Sequence, residues 1–213
     1  MELERFRRLP VMGILRGVKA EELEPLAEAV LASGLETVEL AMNTEGAAAL
    51  IRRLRQCAGS KLIVGAGTVL TLETMHEALD AGATFIVLPV LVRKVVAHCV
   101  RNKIPVFPGA LCPQEIYEAS QAGAAMVKVF PARLFGPSYF RELRGPFRGL
   151  PLMACSGVTP ENLPEYFESG ADAVAIGSSV FQRDLLEKGD FSAIRRRLER
   201  YLSAWKTWRE KPL

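Results

Sequence analysis

Four segments of the chain repeat one pattern: SGLETVEL, AGATFIVL, AGAAMVKV and SGADAVAI. In each, a small residue and a glycine close a helical stretch, and a β-rich run follows within two or three residues. A glycine there suits the left-handed position that ends many helices. The four glycines (Gly34, Gly82, Gly123 and Gly170) recur at intervals of 48, 41 and 47 residues. An interval of that size holds two strand–helix units, so the repeat predicts eight strands. The candidates are VMGILRG (11–17), TVELAMN (37–43), LIVGAGTV (62–69), FIVLPV (85–90), PVFPGAL (105–111), MVKVFP (126–131), LMACSGV (152–158) and AVAIGSS (173–179). Between them lie stretches such as EELEPLAEAVLAS and TLETMHEALDA, with apolar residues at helical spacing.

Strands alternating with helices imply right-handed βαβ units and a parallel sheet. Eight of them close naturally into a (β/α)8 TIM barrel, here with a short N-terminal helix before the first strand. The alternative is an open doubly wound sheet. Against it, GILRGVKAEE after the first strand lacks the G-x-G-x-x-G dinucleotide fingerprint. No linker or low-complexity stretch interrupts the pattern, so residues 1–213 read as a single barrel domain. Nearly half the residues are apolar and about a quarter charged, as in an ordinary globular protein. No apolar run approaches the roughly 18–20 residues of a membrane span, and MELERFRRLP lacks a signal-peptide core. The expectation is a cytoplasmic protein that binds neither membrane nor nucleic acid. The densest basic cluster, Arg195-Arg196-Arg197, lies in a helical stretch with Glu199 and reads as a solvated face.

Three strands carry a charge inside an apolar run: Arg16 in the first, Glu39 in the second and Lys128 in the sixth. Alternation puts Ile14 with Arg16, Glu39 with Ala41 and Asn43, and Met126 with Lys128 and Phe130. Both faces of a parallel barrel strand are normally covered, so these charges have no cheap route to water. They form either a buried structural ion network or reactive groups at the C-terminal ends of strands. A lysine is a nucleophile only when neutral. Desolvation and the charge of Arg16 would lower its pKa, and a drop of about three from the usual 10.4 would free a large fraction at neutral pH. Glu39 is the only carboxylate deep in a strand and is the candidate general acid–base.

Glycines beside small hydroxyls expose backbone N–H groups to an anion. Gly145-Pro146-Phe147, CSGVTPEN (155–162) and IGSS (176–179) are the candidates, the last two following the seventh and eighth strands, where barrels often hold phosphate. Metal chemistry is disfavoured, because His76 and His98 are the only histidines and no ligand spacing is present. Cys57, Cys99, Cys112 and Cys155 are widely spaced and read as reduced, mostly buried thiols. FSAIRRRLERYLSAWKTW reads as a last helix, with Trp205 and Trp208 as core or interface anchors.

An ordered set of motifs carries a family resemblance: ILRG (14–17), VELAMNTE (38–45), VGAGTV (64–69), FPG (107–109), VKVFPA (127–132), FGPSY (135–139), GPF (145–147), SGVTPEN (156–162) and IGSS (176–179). With these the chain resembles, from about Leu9 to about Phe181, the short class I aldolases of the 2-keto-3-deoxy-6-phosphogluconate and 4-hydroxy-2-oxoglutarate family. ILRG, Asn43, FGPSY and GVTPENL look especially like the 6-phosphogalactonate aldolase branch. The resemblance implies Lys128 as the Schiff-base lysine and Glu39 as the general acid–base. It implies a pyruvate pocket of Arg16, Thr68, Pro89, Phe130 and Asn43, and phosphate donors at Ser156, Gly157, Gly177 and Ser178. It implies a small keto-acid substrate, no cofactor or metal, and a homotrimer.

Three departures accompany it. Asn43 stands where many relatives carry an arginine, CSGV replaces a TGGV-like loop, and LPV (88–90) replaces an S-P-G or S-P-H turn. Carboxylate binding then rests on Arg16. Two other classes stay open on the residues alone: a phosphate-binding barrel isomerase or synthase without Schiff-base chemistry, and a non-enzymatic sugar-acid sensor.

Overall fold

The computed structural model describes residues 3–210. Its elements alternate as the repeat predicts. They run α1 (Leu3–Arg8), β1 (Val11–Leu15), α2 (Leu23–Ser33), β2 (Thr37–Ala41), α3 (Ala47–Ala58), β3 (Ile63–Gly67), α4 (Leu72–Asp80), β4 (Ile86–Val87), α5 (Arg93–Arg101) and β5 (Val106–Phe107). Then follow β6 (Gly109–Ala110), α6 (Pro113–Gln121), β7 (Val127–Val129), α7 (Pro137–Arg144), β8 (Leu152–Cys155), α8 (Leu163–Glu168), β9 (Ala173–Ile176), α9 (Arg183–Glu187) and α10 (Phe191–Arg209).

One parallel sheet runs in the order β5-β4-β3-β2-β1-β9-β8-β7-β6. The ninth strand arises because the predicted fifth strand is split at Pro108, which has no N–H to give to a ladder. Its first half pairs with β4 and its second with β7, so the continuous segment brings the two ends of the sheet together. The eight-strand reading therefore holds with one strand interrupted. Gly34, Gly82, Gly123 and Gly170 all have left-handed backbone, with φ between +87° and +104°.

The apolar side chains fall into two cores. The larger lies between sheet and helices and is rich in Leu, Val and Ala. The smaller fills the barrel itself with Phe6, Met12, Ile63, Phe85, Phe107, Met126 and Met153. Phe6 of α1 is fully buried and meets Phe107 edge-on at 6.0 Å, so the N-terminal helix plugs the lower mouth of the barrel. This dry plug forces any polar group on an inward position to sit toward the C-terminal ends of the strands. Trp205 and Trp208 of α10 pack on Phe167 of α8, as anchors of the last helix.

Arg195 pairs with Glu199 and Arg196 with Ser192 on an exposed helix face. All four thiols are free, but only Cys99 and Cys155 are buried. Cys57 and Cys112 lie exposed at helix ends, which corrects the mostly buried expectation. Among the described residues no helix is long and apolar enough to cross a membrane.

Candidate active site

Glu39 enters the barrel from β2 and Lys128 from β7, strands separated by three others in the sheet. Their side chains meet across the lumen, Nζ to Oε1 at 3.6 Å, with Lys128 8% and Glu39 1% exposed. That distance is too long for a hydrogen bond. Neither oxygen of Glu39 has a hydrogen-bond partner among the described residues. A structural ion pair in a core closes its remaining lone pairs with donors; this one does not.

The third strand makes the room. Its inward positions are Ile63, Gly65 and Gly67, paired with Thr37, Glu39 and Ala41. A Cβ on Gly65 would lie 2.4 Å from the Phe85 ring, and one on Gly67 would lie 2.5 Å from Glu39 Oε1. The glycines of VGAGTV therefore leave volume for a plug residue below and a carboxylate above.

The expected depression of the Lys128 pKa is corrected. Burial does act to lower it, and Arg16 adds to that. The Glu39 carboxylate, with a smaller contribution from Cys155, offsets both and holds the ammonium above its ordinary value. Sequence shows that the charges share a lumen, but the sign of the shift depends on a distance it does not contain. Lys128 Nζ also stands 5.6 Å from the centroid of the Phe130 ring, which roofs the amine.

Arg16 rises at the end of β1 and donates from Nη2 to Thr68 Oγ1 at 3.1 Å. Thr68 has a left-handed backbone, φ +58°, an uncommon strain for a β-branched residue and one that gathers at functional sites. Arg16 has no carboxylate partner within ion-pair distance among the described residues. Cys155, which the sequence puts both in the LMACSGV strand run and at the start of the CSGVTPEN loop, ends β8 two positions beyond Met153 and faces inward toward Lys128. Burial pushes its thiol pKa up, so it is a neutral wall of the lumen. Period-two alternation in LMAC was the signal for this position.

Above the lysine opens a cavity of about 680 Å³ at the C-terminal ends of β1, β7, β8 and β9. Of the sequence candidates, Arg16, Phe130, Ser156, Gly157, Gly177 and Ser178 line it together. Ser156 and Gly157 have consecutive positive φ, +82° and +79°. The backbone amides of Ser156, Gly157, Gly177 and Ser178 donate to no backbone acceptor among the described residues. The loops are nonetheless fixed. Asn162 Nδ2 donates to Gly157 O at 2.9 Å, and Tyr201 of α10 donates to Val158 O at 2.8 Å and contacts Ser179 Oγ at 2.9 Å. Arg133, which no motif singled out, also lines the cavity.

Other candidates stand apart. Pro89 lies on the loop after β4, where its carbonyl packs against Gly109, whose added Cβ would be 2.1 Å from Pro89 O. Asn43 is exposed in the turn after β2 and does not line the cavity. Gly145-Pro146-Phe147 is corrected outright: it follows α7 and precedes β8, so it turns at the opposite end of the barrel. His76 and His98 stack edge to face on α4 and α5, and no cluster of three metal-ligating side chains occurs among the described residues. A second recess of about 670 Å³ lies against Gly17, Lys19, Thr44 and Arg183, and neither Lys128 nor Glu39 lines it.

The geometry is a buried amine and carboxylate beneath an arginine and an amide-lined cavity. Residues 3–197 match the family model for KDPG and KHG aldolases. The chain belongs to this aldolase family. The 2-dehydro-3-deoxy-phosphogluconate aldolase of Treponema pallidum is 36% identical over 194 residues, 90% of each chain. A native KDPGal structure superposes with a TM-score of 0.90 at 28% identity, covering 96% of this chain and 98% of that one. A KDPG aldolase from Legionella pneumophila, with pyruvate captured at low pH as a covalent carbinolamine intermediate, gives a TM-score of 0.81. It is 26% identical and covers 89% of this chain and 92% of its own. The family match and these relatives support a lyase that acts on a small keto acid.

Proposed function

We propose that the protein is a metal-independent class I aldolase that cleaves 2-keto-3-deoxy-6-phosphogluconate to pyruvate and glyceraldehyde 3-phosphate, with 4-hydroxy-2-oxoglutarate, cleaved to pyruvate and glyoxylate, as a second substrate. One observation carries this reading: a buried lysine faces a carboxylate 3.6 Å away that has no hydrogen bond of its own. Such a pair is placed to pass a proton, not to hold the fold.

Glu39 takes a proton from Lys128 Nζ, and the free amine adds to the C2 ketone. The carbinolamine oxygen receives that proton and a second one lost from the same nitrogen after addition, both carried by Glu39, and leaves as water, giving a protonated imine. Arg16 binds the α-carboxylate, with Thr68 holding the guanidinium and Phe130 bounding the three-carbon unit. Glu39 then removes the proton of the C4 hydroxyl. The C3–C4 bond breaks, the aldehyde departs, and the bonding pair flows into the imine to form an enamine. Protonation at C3 and hydrolysis of the imine return pyruvate and the lysine. The amides at Ser156, Gly157, Gly177 and Ser178 bind the phosphate.

The phosphogalactonate substrate is the second reading, supported by the KDPGal superposition and the FGPSY segment. We further propose a cytoplasmic homotrimer. Leu70, Val90, Leu134 and Phe135 are 48–59% exposed on loops after β3, β4 and β7, a set of apolar side chains suited to contact between copies. Pyruvate release from the phosphogluconate substrate, coupled to lactate dehydrogenase, tests the activity. Lys128→Ala is expected to fall to background; a variant that retains turnover contradicts the mechanism.

A further inference from the structure

We propose that Arg133 selects a terminal phosphate on the substrate and so makes this chain favour phosphorylated six-carbon keto acids over short dicarboxylates. The inference rests on the aldolase reading above and adds a residue that no motif assigned.

Three cations line the cavity: Arg16, Arg133 and Arg183. Arg16 is engaged by Thr68 at the lysine end. Arg183 is committed to Glu187 at 2.8 Å, to the Gly17 carbonyl at 2.6 Å and to Glu22 at 3.8 Å. Arg133 alone has neither a hydrogen bond nor an ion pair among the described residues. It is not held by Asp184, the one carboxylate lining the same cavity. An arginine without a partner beside a concave, amide-lined wall is a charge awaiting an anion.

Its placement is specific. Arg133 lies in the one-turn helix Ala132–Leu134, five residues beyond Lys128. Its stem covers the Ser156–Gly157 turn so closely that a Cβ on Gly157 would lie 2.4 Å from Arg133 Cβ. The guanidinium and the unpaired amides of that turn therefore serve one volume. Gly157 is required twice, for φ +79° and for this contact.

Substrate length and charge follow. In 4-hydroxy-2-oxoglutarate the second carboxylate is bonded directly to C4, close to the reacting centre. In the six-carbon phosphorylated acids the anion stands two carbons further out and carries up to two charges. A guanidinium fork with flanking amides matches that dianion, and binding energy from a remote group can be used at the reacting bond.

The test compares wild type, Arg133→Ala and Arg133→Lys on 2-keto-3-deoxy-6-phosphogluconate and on its non-phosphorylated counterpart, with borohydride trapping of pyruvate in parallel. Arg133→Ala is expected to lose about ten- to a hundredfold in kcat/KM on the phosphorylated substrate. It should keep its rate on the non-phosphorylated one, trap pyruvate like wild type, and be inhibited less by inorganic phosphate. Arg133→Lys should recover part of the loss. An unchanged preference for the phosphorylated substrate, with normal pyruvate trapping, overturns the role of Arg133 alone. Failure of wild type to trap pyruvate overturns the aldolase reading and this proposal with it.

Discussion

At the floor of the site, two charged side chains issue from the middles of strands on opposite sides of the barrel and are almost wholly buried. At its mouth, the same cavity is walled by loop backbone, small hydroxyls and an exposed arginine. The floor is rigid because every inward neighbour is packed: the plug of Phe6, Phe85 and Phe107 lies below, and the glycines of β3 shape the space beside Glu39. The mouth is held by a few side-chain tethers, such as Asn162 to Gly157 and Tyr201 to Val158. A barrel can thus keep one reactive end and vary the other, because loop changes at the mouth do not disturb core packing.

Substitutions at the floor should cost most. Glu39→Gln keeps the shape of the side chain but can neither take a proton nor balance the ammonium. Turnover should fall by about 10²–10⁴-fold. The stability profile should also reverse. In wild type the folded pKa of Lys128 is raised. Its contribution is therefore complete below the unfolded value of 10.5 and is lost as pH rises through the higher folded value. In Glu39→Gln burial acts without that partner, the folded value drops, and the unfolded chain holds the extra proton. Stability of the variant relative to wild type should then rise with pH toward 10.5, as read by chemical denaturation. Parallel profiles would remove Glu39 as the counter-ion.

Gly67→Ala tests the same floor through its wall. The new methyl would sit 2.5 Å from Glu39 Oε1, so the carboxylate must move off its line to Lys128. We expect turnover to drop about tenfold to a hundredfold. The overpacking should cost about 1–3 kcal/mol in urea denaturation. Wild-type kinetics in this variant would mean that the position of Glu39 is not critical.

The smallest effect belongs at the mouth. Ser156 has φ +82°, a conformation glycine adopts without a Cβ clash. Ser156→Gly should raise stability by no more than about 1 kcal/mol, because relief of strain is partly offset by backbone entropy. Pyruvate trapping should be unchanged. A large loss of pyruvate reactivity would show that mouth and floor are coupled.

The same contrast governs what could be read from the sequence. Arg16, Glu39 and Lys128 stood out because a charge inside an apolar barrel strand has no inexpensive exposure to water. The eight-strand plan followed from the glycine repeat, whereas the break in the fifth strand was passed over by reading PVFPGAL as one run, although Pro108 lacks the N–H a ladder needs. Arg133 left no trace, because an arginine in a loop looks like any surface charge until its neighbours are seen. Gly67 was part of a motif, but its purpose lies in a side chain from the next strand. Gly145-Pro146-Phe147 was grouped with the phosphate loops for its glycine, although a turn that closes a helix lies at the barrel end opposite the strand C-termini. The sign of the Lys128 shift was hidden for the same reason as its distance to Glu39: both belong to the closed barrel.

Borohydride reduction of the protein with pyruvate, followed by peptide mass spectrometry, tests the central claim most directly. A reduced pyruvate adduct on the peptide carrying Lys128, and on no other lysine, is the predicted result. A folded protein in excess pyruvate with no adduct, or with its adduct elsewhere, would contradict it and leave Lys128 and Glu39 as a buried structural pair.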